Sequence, residues 1–308
     1  MTLRSGGVSY ATICFLVASI LTFYQLNDVV LNRRKVSRYF GEYKKVVKDR
    51  AYTAEEIYKA LQTADLRMKV IILLMSSGAQ RIGSLADLTL GNLTLIEPYG
   101  IFKVTVYEGT NSEYYTFTTR ETASAIFEYL SYRQRSGERI NFNEETKKWE
   151  PEIVPLLREQ FDATDILHVR RPKVIGTNAI RRVLVDQLVR CGLRTVEHSV
   201  AGSRRRCRKS VALGNGFRKF AISAFSRAKI NHDIRQMLVD HKGGYLDESY
   251  LRLEESEVLE EYMKAEPFLT LDPNVRLTNE NKILKIEVSK VDGVLAELAE
   301  MRKQIGLG

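Results

Sequence analysis

The sequence predicts a mainly α-helical protein carrying one small antiparallel β-hairpin. Three observations lead there. The composition is globular, with 44% hydrophobic and 28% charged residues in 308. Most of the chain from residue 53 onward carries apolar residues at helical spacing, opened and closed by capping signals. A single stretch, "GIFKVTVYEG" followed by "EYYTFTT", alternates instead at the period of a strand and turns around "GTNS".

Taken in order, Val8–Tyr24 is an uncharged run of 17 residues read as one helix over 8–26. That is short for a membrane-spanning helix, and the basic cluster Arg33, Arg34 and Lys35 follows it instead of preceding it as in a secretory leader. A buried helix of a small domain is the expectation, with a membrane segment as the rival. Residues 27–50 read as a basic connector that includes Lys44, Lys45 and Lys48. Thr53 with Glu56 three residues later forms a capping box before "AEEIYKAL". "LRMKVIILLMSSG" is apolar on every side, so it belongs in the core, and Gly78 ends it. "RIGSLADL" reads as a third, short helix. After the hairpin, helix returns at "ETASAIFEYLSYRQRSG". Residues 140–176, with Pro151, Pro155 and Pro172, read as irregular. Helices follow at "TNAIRRVLVDQLVRCG", "GFRKFAISAFSRA" and "NHDIRQMLVD", and a last long one is expected from near Glu248. Leu284, Val288, Val291, Leu295 and Leu298 mark a short heptad seam in the tail, suited to a coiled coil or to a lone amphipathic helix.

The formal net charge of +9 favours a polyanionic partner, nucleic acid or an anionic membrane surface. The run Arg204, Arg205, Arg206, Arg208 and Lys209 fits either a solvated loop or a phosphate-contacting one. Cys14, Cys191 and Cys207 are too few and too scattered for a disulfide framework or a zinc site, which suits a reducing cytoplasm. His168, His198 and His232 show no metal spacing.

One constellation carries chemistry. Arg81 follows the end of a core helix, and Arg218 lies at the start of another. Arginines near orphan backbone N–H groups are placed to hold an oxyanion. His241 and Tyr250 stand nine positions apart in "LVDHKGGYLDESYLR". A tyrosine hydroxyl titrates near 10 and attacks well only where other groups hold the substrate and stabilise developing charge. Two guanidinium groups, an imidazole and a phenol suit one phosphodiester.

In these segments, over roughly residues 50–270, the chain resembles the tyrosine recombinases, the phage-integrase family, and most closely their archaeal integrases. The family's first arginine falls on Arg81, within "SSGAQRIGSLADLTLGNL". Its "H-x-x-R" arginine falls on Arg218, within "NGFRKF". The histidine of its "L-x-x-x-L-G-H" segment falls on His241, within "IRQMLVDH", and its nucleophile on Tyr250. The resemblance implies a tyrosine-recombinase-like catalytic domain over 51–272, preceded over 1–50 by a truncated helical core-binding domain with its linker and followed over 273–308 by an amphipathic tail. It implies cutting and rejoining of double-stranded DNA through a 3′-phosphotyrosyl link, without cofactor or metal, by a homotetramer on two duplexes. Arg33, Arg34, Lys35, Lys44, Lys45, Lys48 and the basic residues of 204–209 become candidate DNA-backbone contacts. The expected setting is cytoplasmic, on chromosomal or mobile-element DNA.

Two positions depart from the family. Asn215 replaces the histidine of "H-x-x-R" and cannot carry a proton at neutral pH. The hairpin turn holds Asn111 and Ser112 where the family's leaving-group lysine is expected, which leaves Lys103 on the first strand as the nominee. The rival readings are a DNA-binding remnant impaired in catalysis, a type IB topoisomerase-like activity, and a membrane-anchored basic protein.

Overall fold

A computed structural model describes residues 10–40, 49–195, 210–240, 253–278, 281 and 301. The chain divides into two units, 1–49 and 50–308.

In the first unit, α1 (Tyr10–Leu26) is followed by α2 (Arg33–Ser37) and a 3-10 turn at Arg38–Phe40. The basic connector is therefore partly helical. Asn32 caps α2 by accepting the Lys35 amide, which stabilises so short a segment. The first helix is largely exposed among the described residues. Only Ile13 is buried along α1, while Phe15 and Leu26 are 71% and 80% exposed. Two short neighbours cannot cover a helix roughly 25 Å long that is apolar all round. Among the described residues, no helix is long and apolar enough to cross a membrane.

The second unit opens with α3 (Ala54–Gln62), and both arms of the Thr53–Glu56 capping box are made. In α4 (Leu66–Ser77) every residue from Val70 to Ser77 is buried, as its unbroken apolar run requires. The sheet has three antiparallel strands in the order β1 (Leu93–Ile96), β2 (Ile101–Val106) and β3 (Tyr114–Phe117). The hairpin β2–β3 is the one the alternation predicts. Strand β1 is an addition, closed onto β2 by the Glu97–Gly100 turn, where Gly100 sits at φ +64. Helix α5 (Arg120–Arg135) lies against both α4 and β2.

Residues 140–176 are less irregular than their prolines suggest. They hold a two-stranded hairpin, β4 (Asn141–Asn143) with β5 (Lys148–Glu150), and the short helix α6 (Ile166–Arg170). Trp149 stacks edgewise on Phe142, and both rings pack on Phe127 of α5. That aromatic packing holds strands too short to be stable alone. Beneath this region, Glu138 bridges two fully buried arginines, Arg133 at 2.5 Å and Arg158 at 2.6 Å. Terminal nitrogens of the two guanidinium groups also reach the carbonyls of Pro155, Leu156, His168 and Val169, so one carboxylate and two forks pin this non-repetitive backbone.

Helix α7 (Thr177–Arg190) precedes α8 (Asn215–Arg227), α9 (His232–Leu238) and α10 (Glu255–Leu269). Helix α8 packs on α4 and on α10 at the centre of the unit. Helix α10 begins at Glu255, since Leu253 and Glu254 are non-helical. "RIGSLADL" contains only a 3-10 turn at Ser84–Ala86, consistent with a glycine inside so short a segment. The heptad-patterned tail lies outside the described residues apart from Asn281 and Met301.

Candidate functional site

The exit of α4 places the first arginine. The helix's terminal carbonyls have no partners within it, and neighbours supply them. The Tyr262 hydroxyl donates to the Ser77 carbonyl and the Thr116 hydroxyl to the Gly78 carbonyl, each at 3.2 Å. Gly78 lies so near β3 that a Cβ there would stand 3.0 Å from Thr116 Cγ2. Ala79 then takes the left-handed conformation, φ +51, and turns the chain outward. The Arg81 carbonyl accepts from both the amide and the hydroxyl of Ser84, which fixes the backbone under its side chain.

The start of α8 places the second. A Cβ at Gly216 would fall 2.5 Å from Val211 Cγ1 and 2.6 Å from the Tyr52 ring, so only glycine permits this approach. Gly214 similarly lies against Ile82, the neighbour of Arg81. One turn into the helix, Arg218 is 6% exposed. Its two terminal nitrogens donate to the Ala79 and Val239 carbonyls.

Arg81 closes the other half of the link. Its Nη1 donates to Asp240 Oδ2 at 2.7 Å and its Nη2 to the Asp240 carbonyl at 3.1 Å. Both arginines therefore join the 79–81 turn to residues 239–240 after α9. Asp240, like Ala79, is left-handed, at φ +48. The two guanidinium groups are close enough to affect each other. Burial lowers the Arg218 pKa, and the Arg81 charge lowers it further. Tyr114 of β3 sits beside the pair. Burial pushes its phenol up to about 12, against the pull of Arg218 and Arg81. The arrangement is a concentrated positive site with a neutral phenol and one carboxylate, suited to binding a phosphate oxygen pair.

Comparison with known proteins addresses the fold alone. No family model and no curated protein matches the sequence. The Tn1549 transposon integrase, solved in complex with transposon right end DNA, matches at a TM-score of 0.52 and 15% identity, over 84% of this chain and 77% of that one. The fold is that of the tyrosine-recombinase catalytic domain. The XerA recombinase is 14% identical, with a TM-score of 0.43 over 84% of this chain and 77% of its own. The integrase of mycobacterium phage Brujita is 15% identical, with a TM-score of 0.43 over 82% and 69%.

Within this recombinase-like fold, Arg81 and Arg218 come together as a pair. Asn215 is exposed and opens α8 one turn before Arg218. Lys103 is on β2 opposite Phe117; its ammonium pairs with Glu255 and lies 4.8 Å from the Tyr115 ring centre. Arg33, Arg34 and Lys35 are exposed on α2 of the first unit. His241, Tyr250, Lys44, Lys45, Lys48, Arg204, Arg205, Arg206, Arg208 and Lys209 lie outside the described residues. His232 contacts Arg235 and Gln236, and no group of metal-ligating side chains forms among the described residues. Sequence reasoning missed Tyr114 and Asp240. Asp240 had left a trace, since it occupies the glycine position of "L-G-H", whereas nothing local marks Tyr114.

Proposed function

We propose that the protein is a site-specific DNA strand transferase, an integrase acting through Tyr250. The observation that carries this reading is the convergence of Arg81 and Arg218 on the backbone immediately before His241. The Arg81 guanidinium binds the non-bridging oxygens of the scissile phosphodiester, and the charge of the buried Arg218 beside it helps to stabilise the pentacoordinate state. The Tyr250 oxygen attacks phosphorus, and its proton passes to His241 or to water. A 3′-phosphotyrosyl bond forms as the bond to the 5′ oxygen breaks, and that oxygen leaves as a protonated hydroxyl. Attack by another strand's 5′ hydroxyl reverses the step and frees the tyrosine, so bond energy is conserved and no nucleotide is consumed.

Lys103 is proposed as donor to the leaving oxygen, for which it must first separate from Glu255. Asn215 positions a phosphate oxygen without moving a proton. The basic residues of 33–35, 44–48 and 204–209 contact the DNA backbone, in a homotetramer holding two duplexes. Affinity then falls steeply as salt rises. The proposed setting is cytoplasmic, on chromosomal or mobile-element DNA.

A nicked suicide duplex tests the reading, because loss of the short 5′ fragment traps the covalent link. A denaturation-resistant adduct that maps to Tyr250 and is absent from Tyr250→Phe supports it. Equal joining by both forms removes Tyr250 as nucleophile. A second reading, DNA binding without strand transfer, is favoured by Asn215 and by the Arg81–Asp240 ion pair. Salt-sensitive duplex binding with no adduct would select it.

A further inference from the structure

We infer that Asp240 is an internal surrogate for the DNA phosphate, an autoinhibitory carboxylate that must leave Arg81 before a phosphodiester can bind. The inference rests on the reading of Arg81 as a phosphate ligand. Its geometric basis is separate from the covalent chemistry. Both terminal nitrogens of Arg81 are occupied by one residue, Nη1 by the Asp240 carboxylate at 2.7 Å and Nη2 by the Asp240 carbonyl at 3.1 Å. A phosphate bridging those nitrogens needs the same donors. It also carries the same sign of charge as the carboxylate, so both cannot occupy the fork without a large like-charge penalty.

Exposure fits a displaceable contact. The Arg81 side chain is 39% exposed, open to an incoming strand, whereas the Asp240 side chain is 12% exposed and lies underneath. The backbone supplies a hinge. Asp240 holds φ +48 two residues after α9 ends at Leu238, a left-handed conformation less favourable for it than for glycine. The Arg81 contacts oppose that cost while the site is empty. Arg218 is unlike Arg81 here, because its terminal nitrogens hold main-chain carbonyls across the two turns and its side chain is buried. Arg218 therefore keeps the frame, and Arg81 changes partners. Exchanging carboxylate for phosphate leaves the paired guanidinium charges compensated in both states.

Two readouts test this on the full chain. Inorganic phosphate is titrated by 31P NMR into the wild type, Asp240→Asn and Asp240→Gly. Asparagine tolerates the left-handed conformation and glycine removes its cost, so both variants keep the turn. The expected result is phosphate affinity higher by about tenfold or more in both variants, lost again when Arg81→Ala is added. In parallel, adduct formation on the nicked suicide duplex is expected to be about tenfold faster in Asp240→Asn, since the competing carboxylate is gone. A residue that merely holds the turn would lower the melting temperature without raising phosphate affinity. Unchanged or weaker phosphate binding in both variants overturns the proposal, as does failure of both to fold. If even the wild type forms no adduct, the strand-transfer reading fails, and the phosphate titration still decides the role of Asp240.

Discussion

Gly216→Ala tests how the site is assembled. The added methyl group would lie 2.5 Å from Val211 Cγ1 and 2.6 and 2.7 Å from two Tyr52 ring carbons. Ordinary contacts begin near 3.4 Å, so the start of α8 must retreat by close to an ångström or the Tyr52 ring must turn. Neither is free to do so, with Tyr52 3% and Val211 7% exposed. Overpacking of this kind costs about 1–3 kcal/mol, and alanine returns about 0.5–1 kcal/mol through helix propensity. The net loss of about 1–2 kcal/mol lowers the melting temperature by about 2–8 °C in a domain of this size. Scanning calorimetry beside Asn215→Ala is the assay, because Asn215 is exposed and its loss is expected to change stability by under about 0.5 kcal/mol. The retreat also carries Arg218 from the Ala79 and Val239 carbonyls, so phosphate binding should weaken together with stability. An unchanged or raised melting temperature in Gly216→Ala would refute the close-approach argument.

Four further outcomes are expected. Glu138→Gln leaves two buried arginines without a counter-charge and should cost about 3–5 kcal/mol in urea unfolding. Arg218→Lys cannot span the Ala79 and Val239 carbonyls with one ammonium, and a stability loss of about 1–3 kcal/mol is expected with faster amide exchange around residues 79–81. Thr53→Ala removes one arm of the capping box and should cost about 1 kcal/mol by the same urea assay. The hydrogen-bonded Arg50 guanidinium holds the Glu56 carboxyl below its ordinary value, so its contribution is complete above the unfolded pKa and disappears as pH falls through the depressed folded one. Glu56→Gln should therefore flatten the acid side of the stability–pH curve, measured by thermal melts between pH 7 and 3.

The helices could be read from the sequence where their signals are local. Thr53 with Glu56, the unbroken apolar run of α4 and the glycine at its end each act within a few residues of chain, and tertiary packing agreed with them. The hairpin was legible for the same reason. Strand β1 was not, since "LTLI" is four residues long and becomes a strand only by pairing with β2. The strands within 140–176 depend likewise on Trp149 and Phe142 meeting Phe127, a contact between a helix and the hairpin that follows it which neither segment's own pattern records. In the opposite direction, the uncharged run of α1 suggested burial, yet the described residues of its unit do not cover it.

The sequence by itself determined which residues carry charge, which periods can fold as helix or strand, and that Arg81 and Arg218 each sit beside a helix end. Those properties follow from side-chain type and from spacing along a few turns. Only the tertiary structure decided that the two arginines clamp the same pair of turns, that Tyr114 stands beside them, and that Asp240 fills the fork of Arg81. Residues 81 and 240 are separated by 159 positions. Such a meeting is set by how α4, α8 and α9 pack, and no local pattern records it.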